Sequence, residues 1–184
     1  LLSMRHRLIY AGLSLGLASA VCAGHAEARS RADHAAPVAR QLSLRSAAAI
    51  IQDQETGEIL YGKNASAVIP IASITKLMSA MVVLDAGLDL QEAITILTED
   101  MDALRGTRSR LKPGASLSRD ELLRVALMAS ENRAAAALGR TYPGGIDAFK
   151  LAMNHKAQML GMNGSRFDDA TGLSSANVSS AEDL

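Results

Sequence analysis

Cysteine is almost absent: Cys22 is the only one in 184 residues, tryptophan is missing altogether, and aromatic side chains amount to 3%. A lone thiol forms no internal disulfide. Cys22 also falls within a leader segment described below, so the mature chain has no thiol for catalysis or cross-linking. The preceding Ser19-Ala20-Val21 lacks the Leu and the small final residue that lipid attachment would require. With few rings available, the core rests on Leu, Ile, Val, Ala and Met; a 48% hydrophobic content suits one globular domain or the larger part of one. Histidine is scarce too. Of four, His6, His25 and His34 lie near the N-terminus, and His155 falls on a segment read as an amphipathic helix with an exposed polar face. A Ser-His-Asp triad would need that single imidazole, and a transition-metal site lacks its usual ligands. Neither sign of charge dominates, with 19 Lys and Arg against 19 Asp and Glu and a formal net charge of +0. Without a basic stripe, nucleic acid is not an indicated partner.

What is present begins with that leader. Met4 precedes Arg5-His6-Arg7, an apolar run from Leu8 to Cys22, and small residues ending in Ala26-Glu27-Ala28. A basic start, a short apolar stretch and an A-x-A site read as a secretory signal over residues 1–28, cleaved after Ala28, with Ala23 and Ala26 as alternatives. The run is short for a membrane anchor, and no later tract could span a bilayer, so no stable span remains after cleavage. The expected location is the periplasm. Residues 29–44 are polar, Ala-rich and broken by Pro37, and read as a disordered mature N-terminus ahead of a domain over 45–184.

Within that domain, Ala47–Asp53 and Glu58–Tyr61 read as two strands joined by a hairpin loop ending in Gly57. Ser73 to Ala86 has a helical pattern that is apolar nearly all round, which implies a central, buried helix stopped by Gly87. Ala93–Thr98 reads as a short strand, and Asp100–Arg110 as a charged irregular region. Ser118 with Glu121 forms a capping box for a third apolar run ending near Met128. Helices are expected over Glu131–Arg140 and Ile146–Leu160, and Ser179-Ser180-Ala181-Glu182-Asp183 has the signature of another helix start. A one-turn helix and a lone hairpin do not sustain themselves, so the chain is expected to be a fragment lacking C-terminal strands.

The chemistry-bearing residues are two clusters. Ser73-Ile74-Thr75-Lys76 is an S-x-x-K box, and residues three apart on a helix share a face, which puts the Lys76 amine beside the Ser73 hydroxyl. A serine needs a neighbouring base to become nucleophilic, and desolvation lowers a lysine from its reference pKa of about 10.4 toward that role. The plain alternative is a capping Ser beside a snorkelling Lys. Ser130-Glu131-Asn132, between two helices, can project a hydroxyl and an amide into a cleft; its plain alternative is a junction in which Ser130 or Asn132 caps the next helix. Asp168-Asp169 could hold a hard cation, though solvated loop carboxylates are commoner.

Together with the strings Pro70–Ala86, Leu127–Leu138, Tyr142–Gly145 and Gly172–Leu184, these boxes resemble the penicillin-recognising serine DD-peptidases of the S11 type, in particular their D-alanyl-D-alanine endopeptidases. The resemblance implies an α+β (α/β) fold of β-lactamase/transpeptidase type: an antiparallel sheet covered by helices, with an adjoining helical lobe. It implies Ser73 as acyl-ester nucleophile, Lys76 as proton acceptor, Ser130 as proton relay and Asn132 as substrate-binding residue. The implied substrate is the D-Ala–diaminopimelate cross-link or terminal D-Ala-D-Ala of peptidoglycan, with β-lactams as covalent inhibitors. No metal or other cofactor is called for.

Glu131 replaces the commoner Asp or Gly of the second box, and no K-T-G occurs in the chain. In the family that third box binds the substrate carboxylate, so little or no turnover is expected from these 184 residues alone. Two other readings remain: a non-catalytic peptidoglycan-binding or scaffold protein retaining the fold, and a serine β-lactamase. The second is weakened because no E-x-x-L-N string follows Ser130.

Overall fold

A computed structural model describes residues 44–184; the signal peptide read over 1–28 and all but the last residue of the segment over 29–44 lie outside the described residues. In chain order the elements are β1 (Ala49–Gln52), β2 (Ile59–Lys63), β3 (Ile69–Pro70), α1 (Thr75–Asp85), β4 (Ala93–Thr95), β5 (Ser116–Ser118), α2 (Arg119–Met128), α3 (Asn132–Arg140), α4 (Gly145–Met159) and β6 (Val178–Ser179).

Strands β1 and β2 form the expected antiparallel hairpin, with a register shift between Ile51 and Gln52. Its loop is closed by the Asp53 carboxylate, which accepts from the amides of Glu55 (3.0 Å) and Thr56 (2.7 Å). Two further antiparallel pairs, β4 with β5 and β3 with β6, are short. The last matters most, because it brings the segment after Phe167 alongside the chain entering α1. Pro70 closes β3, and nothing in the local sequence marked that segment as a strand.

The helices behave as their boundaries suggest. Ser118 Oγ accepts from the Glu121 amide at 3.2 Å while Glu121 Oε2 accepts from the Ser118 amide at 2.8 Å, the full capping box. Helix α3 packs against α1, α2 and α4, and its run of alanines is the reason it can. Ala134, Ala135 and Ala137 are fully buried, and a Cβ on Gly139 would lie 2.9 Å from Ile146 Cδ1. Leu122, Leu138, Phe149 and Met153 fill the space around it. Each such side chain contributes about 1.5–3 kcal/mol by leaving water.

Three expectations are corrected. The helical stretch read over 73–86 is not buried all round: Ile74, Leu77 and Leu84 are exposed, Leu77 by 57%. Its covered side carries Thr75, Lys76 and Ser79 alongside Met78, Ala80, Val82 and Val83: the Thr171 and Ala170 carbonyls accept from Lys76 and Ser79, and the Asn177 side-chain amide donates to Thr75. The α-helix also starts at Thr75, leaving Ser73 in a preceding 3₁₀ turn, Ala72–Ile74. Asp100, at the start of the region read as charged and irregular, is buried, where it accepts two bonds from Arg140 of α3 (2.8 and 2.9 Å) and one from the Leu97 amide. The C-terminal segment read as a helix start is instead a turn over 181–183, in which the Ser180 hydroxyl accepts from the Asp183 amide at 3.1 Å, while Ser179 belongs to β6.

Candidate active site

The turn that carries Ser73 is held in an uncommon shape. Ala72 has φ +47° and Ser130 has φ +53°, two of the three non-glycine residues with positive φ among the described residues. Such conformations cost about 1–3 kcal/mol each and persist only where neighbours over-determine them. At Ala72 the neighbour is Gly172, itself at φ +85°, where an added Cβ would lie 1.9 Å from the Ala72 carbonyl oxygen and 3.0 Å from the Ser73 nitrogen. Backbone meets backbone there, and only glycine fits.

Lys76 is 3% exposed and is the hub of the site. Its Nζ lies 3.3 Å from Ser73 Oγ, 2.8 Å from Asn132 Oδ1 and 2.6 Å from the Thr171 carbonyl oxygen. Burial pushes its pKa down; the charges of Asp169 and then Glu131 pull it partly back, and burial prevails. Asn132 stands at the first turn of α3, and its Nδ2 donates to Thr107 Oγ1 at 3.0 Å. The cap of α3 is neither Ser130 nor Asn132 but Glu131, whose carboxylate accepts from the Arg133 amide at 3.1 Å. That frees both flanking side chains from capping.

The structure thus brings Ser73, Lys76 and Asn132 into direct contact. Ser130 is exposed beside Asn132, and among the described residues no hydrogen bond joins its hydroxyl to Ser73 or Lys76. His155 is exposed on α4, lining a groove with Asp85, Tyr142 and Lys156. A cavity of about 440 Å³ flanks the Ser73 turn, lined by Ile50, Ile71, Ala72, Ile74 and Ser180 among others.

Sequence reasoning missed the loop over 168–177. The Asp169 carboxylate accepts from the amides of Thr171 (2.6 Å), Gly172 (2.6 Å) and Ser174 (2.7 Å), from Thr171 Oγ1 (3.1 Å) and from Asn177 Nδ2 (3.0 Å). Burial opposes its ionisation, but the Ser174, Gly172 and Thr171 amides outweigh that and hold its carboxyl below the usual carboxylate value. Its oxygens are taken up by the loop itself, so Asp169 is neither a solvated loop carboxylate nor an open cation ligand. Among the described residues no group of three or more His, Cys, Asp or Glu is placed to hold a metal ion. The available cue was Asp169-Ala170-Thr171-Gly172, an Asp two residues before a Thr-Gly turn. A second irregular loop, over 101–112, is tied in the same way. Desolvation is the largest single influence on the Asp102 carboxylate and opposes its ionisation, but bonds from Arg105, Thr107 and Leu104 together outweigh it and hold the group well below the usual carboxylate range.

The peptidase S11 family model, described as D-alanyl-D-alanine carboxypeptidase, matches residues 34–184. The chain is 47% identical over 184 residues to a D-alanyl-D-alanine endopeptidase of Pseudomonas aeruginosa, covering 98% of this chain and 57% of that protein. It is 49% identical over 150 residues to a D-alanyl-D-alanine endopeptidase of Escherichia coli, covering 82% and 48% respectively. Among solved structures it is similar to penicillin-binding protein D2 from Listeria monocytogenes in the ampicillin-bound form, with a TM-score of 0.66 and 34% identity over 77% of this chain and 59% of that one. The chain spans about half the length of these curated relatives.

Proposed function

The chain belongs to the peptidase S11 family and has the α+β fold of penicillin-binding DD-peptidases, and on that premise we propose a serine DD-peptidase that remodels peptidoglycan in the periplasm. The substrate is the D-Ala–diaminopimelate cross-link or the terminal D-Ala-D-Ala of a stem peptide. Ser73 Oγ attacks the D-Ala carbonyl carbon as its proton passes to neutral Lys76, giving a tetrahedral oxyanion. Collapse breaks the C–N bond, and Ser130 relays a proton to the departing nitrogen. The ester on Ser73 is then hydrolysed by water with Lys76 again as base, returning the serine. Asn132 holds both Lys76 and the substrate backbone. β-Lactams acylate the same hydroxyl, a reading supported by the ampicillin-bound neighbour.

One observation carries this reading: the partner set of Lys76. A neutral amine has two N–H donors and one lone pair. Asn132 Oδ1 at 2.8 Å and the Thr171 carbonyl at 2.6 Å can only accept from it, whereas the Ser73 hydroxyl at 3.3 Å can donate. In the neutral amine the two N–H groups go to these two acceptors, which leaves the lone pair for the one partner that has a proton to lose. A positioned base of this kind contributes about 10²–10⁴-fold in rate.

The test is covalent labelling of the intact protein with fluorescent penicillin. Wild type should label stoichiometrically and Ser73→Ala not at all; undiminished labelling of the alanine variant would reject the assignment. Purified muropeptides then separate the two activities, dimers falling to monomers for the endopeptidase and free D-alanine appearing for the carboxypeptidase.

A further inference from the structure

We propose that Asp169 is a positioning residue for Lys76, holding the Thr171 carbonyl on the lysine nitrogen and setting a fixed negative charge opposite it. This rests on the serine-peptidase reading above. Of the lysine's three partners, Ser73 is on its own turn and Asn132 is on a helix, but Thr171 is on an irregular loop. A loop carbonyl stays in place only as well as the loop is tied.

Asp169 does the tying. Its Oδ1 gathers the Thr171 and Gly172 amides, folding the chain tightly so that the Thr171 carbonyl faces α1. The adjacent Ala170 carbonyl accepts from Ser79 Oγ at 2.7 Å, a second anchor on α1. Asn177, fully buried, completes the strut: its Oδ1 accepts from the Asp168 and Asp169 amides, and its Nδ2 donates to Asp169 Oδ1 and to Thr75 Oγ1 at 3.1 Å, next to Lys76. The loop and the first turn of α1 therefore move as one body.

The charge has a separate consequence. The charged groups acting on Lys76 are Asp169 from the loop and Glu131 from the cap of α3; its other neighbours, Ser73, Asn132 and Thr171, are neutral. Burial alone would leave the amine a weak base. A carboxylate opposite it restores basicity, which keeps the proton transfer from Ser73 matched to a base titrating nearer the working pH. Asp169, occupied by amides and held ionised, supplies that charge across the range in which the lysine titrates.

The experiment measures the acylation rate constant of the intact protein with labelled penicillin as a function of pH, for wild type, Asp169→Asn and Asp169→Glu. The rate rises with pH as Lys76 loses its proton. Removing the negative charge favours the neutral amine, so in Asp169→Asn this rising limb moves to lower pH, by about one pH unit, for a charge at this range. The plateau falls about tenfold, because the amine is a weaker base. Asp169→Glu keeps the charge but lengthens the tether, so the limb stays in place while the rate falls by roughly three- to tenfold. A rate loss in Asp169→Asn with an unmoved limb means a merely structural role and overturns the proposal, as does a wild-type profile in both variants. If the Asn variant does not fold, a wild-type rate in Asp169→Glu is sufficient to overturn it. Loss of the enzymatic reading looks different: wild type itself would then fail to label at Ser73.

Discussion

Two irregular loops meet at the Lys76–Asn132 pair, and each is organised by one aspartate that collects backbone amides. Asp102 accepts from Leu104, Arg105 and Thr107, and its loop offers Thr107 Oγ1 to Asn132. Asp169 accepts from Thr171, Gly172 and Ser174, and its loop offers the Thr171 carbonyl to Lys76. The local device is the same; the depth is not. Asp102 is tied within an exposed loop, whereas Asp169 is half-buried and linked through Asn177 and Gly172 to the turn carrying Ser73. An exposed loop can exchange its bonds for water at little cost, while a buried one leaves orphaned amides if it opens. The deep loop thus has the rigidity that the role proposed for Lys76 requires, and the shallow one only steadies an amide.

Breaking the deep loop should cost most. Gly172→Ala places a methyl group against the Ala72 carbonyl at a backbone angle that L residues avoid, and it should destabilise by about 3 kcal/mol or more, read as a shift in denaturant midpoint. A midpoint within a few tenths of wild type would mean the two backbones are not locked together. Asn177→Ala comes next. It orphans the Asp168 and Asp169 amides in a buried place, with an expected loss of about 2–3 kcal/mol and slower acylation. Thr107→Val should matter least. Water can replace the lost acceptor for Asn132, so stability should change by less than about 0.5 kcal/mol and the acylation rate by less than about threefold. If Thr107→Val proved costlier than Asn177→Ala in either measurement, the ranking by depth would be reversed.

The same division runs through what could be read from the chain. The Ser118–Glu121 capping box, the hairpin turn at Gly57 and the helix stop at Gly87 were legible because each is settled by contacts within a few residues. The pairing of Ser73 with Lys76 was legible for the same reason, three residues being one turn. The inward face of α1 was not. Its apolar residues suggested burial, yet Leu77 and Leu84 face outward while Thr75, Lys76 and Ser79 face in. Polar side chains share the covered side of the helix with Met78, Ala80, Val82 and Val83 because Asn177 and the Ala170 and Thr171 carbonyls, about a hundred positions away in the sequence, are there to bond them. Likewise the sequence offered Ser130 or Asn132 as the cap of α3, whereas the structure uses Glu131, with Asn132 drawn to Lys76 and Thr107 instead.

By itself, then, the sequence determined which segments become helices and marked the Ser73–Lys76 and Ser130–Asn132 boxes, since propensity and i to i+3 spacing are short-range; the starts of α1 and α3 it did not fix. Tertiary structure decided what Lys76 is bonded to and which loop restrains it. Desolvation and charge around a buried amine depend on groups brought together from distant parts of the chain, and no local pattern records their arrival.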